Sequence, residues 1–211
     1  MNANYGSFLI FQLSDPVVYV ASHMANVHNT FIRTLNTIYL QAPYITTPRL
    51  AADFFQYCRS LGSLLYLHHS QEEAVLFPKL EKLSGQKGLM EVNVHQHDVF
   101  QPKLAEFNTY VETTKPGDYS AEKMKELIDA FAPALMTHLS DEIPTLMALR
   151  KYGKDVQKAH DEFEAEVRRI VDAVGYLSSF ITPMPPIHLG PDTKPLPVVA
   201  WLVVYVPPKL S

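Results

Sequence analysis

Six side chains of this sequence combine types and spacing suited to metal chemistry. They are His28, His68, Glu72, His97, His138 and Glu142. His68 and Glu72 are four residues apart, and so are His138 and Glu142, which puts each pair on one face of a helix. His28 and His97 stand alone in their segments. Each of the six falls where the local periodicity calls for an apolar residue. Burying four imidazoles and two carboxylates without partners costs many kcal/mol. No Lys or Arg shares these positions to neutralise the glutamates. Two divalent cations would resolve the conflict, each held by two His and both bridged by the two Glu. Two such ions and two carboxylates leave a net positive charge, so a small anion is expected at positions the protein leaves open.

Imidazole plus carboxylate with no thiolate suits iron, manganese or zinc. Iron is the choice here, as Fe2+/Fe3+, with Mn or Zn as lesser occupants. A dinuclear His/carboxylate core within a helix bundle matches dioxygen chemistry. The Glu-x-x-His pattern of ferritin-like carboxylate proteins is missing, since no His has Glu three residues before it. His-Glu-x-x-His, the zinc protease motif, is also missing.

The elements that must hold these residues are helices. Apolar spacing near 3.6 residues marks five of them. The first follows Ser14-Asp15-Pro16 along Val17, Val20, Met24, His28, Phe31, Leu35 and Ile38. Thr47-Pro48 opens the second, a cap followed by a proline at the first helical position. Its stripe runs through Phe54, Leu61, Leu65, His68, Glu72 and Leu76. The third carries Leu89, Asn93, His97, Phe100 and Leu104, with a kink expected at Pro102. Ser120 starts the fourth, which carries Ile128, Leu135, His138, Glu142 and Leu146. A fifth runs from about Lys154 to Ser179 along Val156, His160, Phe163 and Val167. The expected fold class is therefore all-α. It comprises an antiparallel four-helix bundle, a fifth helix and a Pro-rich C-terminal tail.

The other histidines receive ordinary roles. His69 and Glu73 form a parallel pair one residue on, able to ligate instead or to add His69 as a ligand, but periodicity favours His68 and Glu72. His23 and His95 are assigned to the rim or solvent side. His160, on the seam of the fifth helix, is assigned to a plain core role or an interhelix hydrogen bond rather than to ligation, with support of a ligand as a further role.

Composition narrows the function classes. The chain has 211 residues, of which 47% are hydrophobic, so a sizeable core is available. A formal net charge of −4 gives no electrostatic footprint for nucleic acid. One cysteine, Cys58, excludes an internal disulfide. The longest apolar run, between Pro197 and Pro207, is too short to span a bilayer as a helix. No signal peptide is read at the N-terminus, and a cytoplasmic protein without a membrane span is expected. Half of the 16 prolines lie beyond residue 182. Residues 1–180 are therefore expected to form the helical domain. Residues 181–211 are expected to form an apolar tail packed on the bundle, with Trp201 helping to cover a pocket.

The motifs around the six residues resemble the hemerythrin-like, or HHE cation-binding, family over roughly residues 20–150. They are Val27-His28-Asn29, His68-His69-Ser70-Gln71-Glu72-Glu73 leading to Leu76-Phe77-Pro78, His97-Asp98-Val99-Phe100, and His138-Leu139-Ser140-Asp141-Glu142. The phrases Asn36-Thr37-Ile38-Tyr39 and Gln41-Ala42-Pro43 are most similar to fungal members. The resemblance implies a non-haem di-iron centre in an antiparallel four-helix bundle, with His28, His68, Glu72, His97, His138 and Glu142 in the ligand roles. Two departures stand out. Oxygen-carrying members have a second His one turn before the third-helix ligand, where this chain has Asn93. They also end on His-x-x-x-x-Asp, where this chain has His138-x-x-x-Glu142 and Ile143 follows. One fewer His favours oxidative chemistry or sensing over reversible carriage. The implied function is an oxidoreductase that binds and activates dioxygen and oxidises a small organic substrate. The alternative is non-catalytic binding, storage or sensing of O2, nitric oxide or iron.

Overall fold

The computed structural model describes residues 15–173, and within them every regular element is helical. Helix α1 spans Pro16–Gln41. The Asp15 carboxylate caps it, accepting from the backbone N–H groups of Val17 at 3.0 Å and Val18 at 3.3 Å. Asp15 also pairs with Arg150 at 2.6 Å, tying the start of α1 to a short 3-10 turn, Arg150–Tyr152. Those contacts hold the Asp15 carboxyl below its ordinary pKa, against the opposing effect of partial burial.

Helix α2 covers Pro48–Gln71, capped by the Thr47 hydroxyl, which accepts from Leu50 N–H at 3.3 Å. It runs without a break into a π-helical segment, Glu72–Leu76, and then into α3, Phe77–Ser84. Gly85 ends α3 at φ 67°, a left-handed position that glycine adopts without strain. Helix α4 is Glu91–Thr113, and α5 is Ala121–Met147, capped by Ser120. Pro102 lies inside α4, and Pro133 and Pro144 inside α5, yet both helices continue across them. Helix α6 spans Lys154–Ala173.

The four long helices α1, α2, α4 and α5 form an antiparallel bundle. Helix α6 packs against α1, α2 and α3 at one end of it. Where α2 passes α4, Gly62 leaves room for the Asn108 side chain: a Cβ there would sit 2.0 Å from Asn108 Oδ1. The sequence places the end of the second helix near Pro78. The structure carries helical geometry on to Ser84, with the wider π-helical turn Glu72–Leu76 placed directly before Pro78, where the ring cannot take part in the regular hydrogen-bond ladder. The remainder of the expected fifth helix, to Ser179, and the tail with Trp201 lie outside the described residues, as does the domain boundary at 180.

Two apolar clusters fill the interior. One joins Phe31, Leu35, Phe55, Leu61, Leu65, Phe100, Phe107, Phe131 and Leu135 among others. The other joins Val17, Val20, Met24, Leu76, Phe77, Leu80, Leu146 and Phe163 with their neighbours. The seam residues between these clusters are polar. His28 falls between Met24 and Phe31, His68 and Glu72 between Leu65 and Leu76, and Glu142 between Leu139 and Leu146. The bundle therefore has a polar layer sandwiched between two greasy ones.

Candidate metal centre

The layer brings all six sequence-assigned residues together. His28, Glu72, His97, His138 and Glu142 are fully buried, and His68 is nearly so. A seventh residue joins them: His69 is also buried, and it lies with Glu72, His97 and His138 in one group of mutually close ligand atoms. His28, His68 and Glu72 form a second such group. The layer thus places two imidazoles, His28 and His68, on one side and three, His69, His97 and His138, on the other, where the sequence leads to two and two.

His69 faces inward because consecutive helical residues point about 100° apart, and α2 sits between two neighbours. His68 turns toward α1, its ring 5.4 Å from that of His28. His69 turns toward α4 and α5, its ring 4.7 Å from His97 and 4.9 Å from His138. A single-stripe reading of the helix keeps only one of the two.

Glu72 spans the two groups. Its Oε1 lies 2.9 Å from His68 Nε2 and its Oε2 lies 3.6 Å from His97 Nε2. Glu142 Oε2 lies 3.2 Å from His28 Nε2. The π-helical segment opens at Glu72 and adds one residue to the turn. The burial pattern then passes from Glu72 to Leu76, Phe77 and Leu80 without losing the core. Such local widening of a helix is frequent at functional sites.

Hydrogen bonds outside the layer orient two of the rings. His28 Nδ1 donates to the Leu139 carbonyl at 2.9 Å. His97 Nδ1 donates to Glu73 Oε1 at 2.6 Å. A ring that donates from Nδ1 and is neutral carries a bare lone pair on Nε2. Those two Nε2 atoms aim into the layer. His97 Nε2 meets His138 Nε2 at 3.1 Å, and His28 Nε2 meets His68 Nε2 at 3.4 Å.

Electrostatics makes this arrangement unfavourable by itself. Burial lowers the pKa of His68 and His69 far below the ordinary imidazole value, aided by the neighbouring histidines. It takes His138 down to about 2. Burial first, then Glu142 and Glu73, raises the Glu72 pKa well above the usual carboxylate range. Among the described residues no carboxylate oxygen of Glu72 or Glu142 accepts a well-directed hydrogen bond. Both ring nitrogens of His69 and Nδ1 of His138 are likewise without a partner. No Lys or Arg is buried among the described residues to balance the carboxylates. Converging lone pairs on neutral rings and unpartnered carboxylate oxygens are the donor set that a pair of cations satisfies.

Other residues fall elsewhere. Asn93 is buried on the His97 face of α4, with neither amide atom hydrogen-bonded among the described residues. His95 and Asp98 are exposed. Asp141 accepts from Gln96 at 2.8 Å on the surface. Cys58 is buried among apolar side chains, and that burial raises its thiol pKa, so it packs as a small apolar residue. His160 is buried, as a core residue of that helix is expected to be, and neither ring nitrogen has a hydrogen-bond partner among the described residues.

Comparison with known proteins gives the family. The hemerythrin HHE cation-binding domain matches residues 20–150. A protein of Cryptosporiopsis sp. (strain 8999), named dimeric xanthone biosynthesis cluster protein R11, is 43% identical over 138 residues. That match covers 65% of this chain and 53% of the relative, so the chain spans about half the relative's length. No solved structure gives a significant match. Among the described residues no helix is long and apolar enough to cross a membrane. The match over more than half of its length, on the segment that carries the buried His/Glu layer, makes this chain a member of the hemerythrin HHE cation-binding family.

Proposed function

We propose that the buried layer holds two iron ions and that the protein uses them to bind and activate dioxygen for oxidation of a small organic substrate. The observation that carries this reading is the enclosure of five imidazoles and two carboxylates between apolar clusters, with the Glu72 and Glu142 oxygens, both His69 nitrogens and His138 Nδ1 unpartnered among the described residues. In this reading His28 and His68 serve one ion, and His69, His97 and His138 serve the other. Glu72 lies between them and Glu142 closes the side facing α1.

Reduced iron held by these side chains would supply the redox chemistry for dioxygen. The chain's residues do the rest. The Leu139 carbonyl and Glu73 hold the His28 and His97 rings with Nε2 inward. The two apolar clusters keep bulk water from the layer. The side with two imidazoles, His28 and His68, offers fewer protein ligands than the side with three and would leave room there for an outside molecule. The relative's printed name speaks of a xanthone biosynthesis cluster. That supports an aromatic biosynthetic compound as the substrate class.

The test combines elemental analysis with an anaerobic-to-aerobic optical titration of the reduced protein. The expected result is two irons per chain at the centre and dioxygen uptake that exceeds one equivalent per centre when an aromatic substrate pool is present. A stable oxygenated spectrum that reverses on deoxygenation would instead select carriage or sensing. Two zinc ions, no iron and no oxygen reactivity would overturn the iron reading.

A further inference from the structure

Outside the central layer, a second group of ligand-type side chains stands at the bundle's surface. His160 and Glu164 are four residues apart on α6, the spacing of both central His/Glu pairs. His23 of α1 faces them. The three ligand atoms lie within 4.8 Å of one another. Glu164 Oε1 is 3.7 Å from His23 Nδ1 and 3.8 Å from His160 Nε2. These separations are too long for hydrogen bonds. Ligand atoms about 2.0–2.2 Å from a tetrahedral ion stand roughly 3.4 Å apart, so the two Glu164 separations are within a few tenths of an ångström of that spacing.

A second observation points the same way. His160 is only 1% exposed, yet neither of its ring nitrogens has a hydrogen-bond partner among the described residues. His23 Nδ1 has none either. The His23 and His160 rings meet edge to face, 5.0 Å between centroids. They border a surface cavity of about 560 Å³, also lined by Tyr19, Asp161, Arg168 and Asp172. Three carboxylates, Asp161, Glu164 and Asp172, outnumber the two arginines that line the cavity, Arg168 and Arg169, which leaves it hospitable to a cation. Arg169, on the same wall, is engaged with Glu166 at 2.7 Å.

We propose that His23, His160 and Glu164 form a third divalent-cation site, distinct from the central pair. Two imidazoles and one carboxylate suit zinc(II) or iron(II), with the open cavity supplying water to the remaining positions. The Phe163 ring separates this site from the central layer. It stands 6.1 Å from the His160 ring on one side and 6.0 Å from the His68 ring on the other. An ion here would sit one side-chain layer away from the centre, on the solvent side.

The test is a zinc titration of the full chain, with its central metals in place, by equilibrium dialysis and elemental analysis. Wild type should take up one zinc per chain beyond the central pair. Glu164→Gln and His23→Ala each lose a direct ligand and should weaken that uptake by about tenfold or more, since even loss of a ligand's supporting partner costs about 10–100-fold. Both positions are partly exposed, so the variants should keep their helical circular dichroism and their central metals. His138→Ala should lose central metal while the Glu164-dependent zinc remains, which separates this site from the reading of the centre. Saturation of wild type at the central pair alone, or extra zinc bound equally well by Glu164→Gln and His23→Ala, would overturn the proposal.

Discussion

Glu73 Oε1 and His97 Nδ1 meet at 2.6 Å, one residue beyond the Glu that spans the centre. The two residues come from different helical segments. Their contact fixes which nitrogen of His97 faces inward. Glu73 is half-exposed, so Glu73→Gln should fold normally. It should weaken metal binding by about 10–100-fold through loss of a charged acceptor behind the ligand. Competition against a chelator of known affinity measures this. Unchanged affinity would remove Glu73 from the centre's support.

His69→Ala separates the three-imidazole side from the two-imidazole side. Metal content should fall from two toward one per chain, with the ion at His28 and His68 retained. His95→Ala, on the exposed face of α4, should change nothing. Two full equivalents in the His69→Ala protein would show that His69 does not ligate.

His68→Ala and Glu142→Ala should both lower metal content. Each should also leave unpaired polar groups in the layer, and breaking a buried set of this kind costs about 3–5 kcal/mol. Urea unfolding with elemental analysis reads both effects. An unchanged metal count in either variant would refute that residue's ligand role.

Stripping the metal should leave a protein whose stability falls on acidification. His138 and His160 have pKa values lowered to about 2 and about 4 from an ordinary 6.5. The unfolded chain therefore binds protons below about pH 6.5 that the folded chain refuses, and stability is lost as pH falls from there toward 4. Glu72 acts with the opposite sign. Its raised pKa makes the metal-free fold hold a proton that the unfolded chain releases above about 4.5, which costs stability as pH rises past that value. Several lowered histidines against one raised glutamate make the acid side the steeper. Urea midpoints of the metal-free protein between pH 7 and 4 should fall accordingly. A flat profile would mean that the buried imidazoles are not held neutral.

The sequence by itself determined the helices and the polar layer. Caps at Asp15, Thr47 and Ser120 set where helices start, and a period of 3.6 placed His28, His68, Glu72, His97, His138 and Glu142 on the seams. These signals are local, because capping and amphipathic spacing depend only on residues a few positions apart. Tertiary structure decided the rest. His69 turned inward because α2 lies between two partners, and periodicity along one helix does not report how many neighbours that helix has. Glu73 and the Leu139 carbonyl became ring-orienting partners through contacts across helices. His23, His160 and Glu164 met because α6 docks beside α1, although the His-x-x-x-Glu spacing on α6 was already legible in the sequence. Which side chains share a layer is a property of helix packing. It is set by long-range burial, which no run of neighbouring residues encodes.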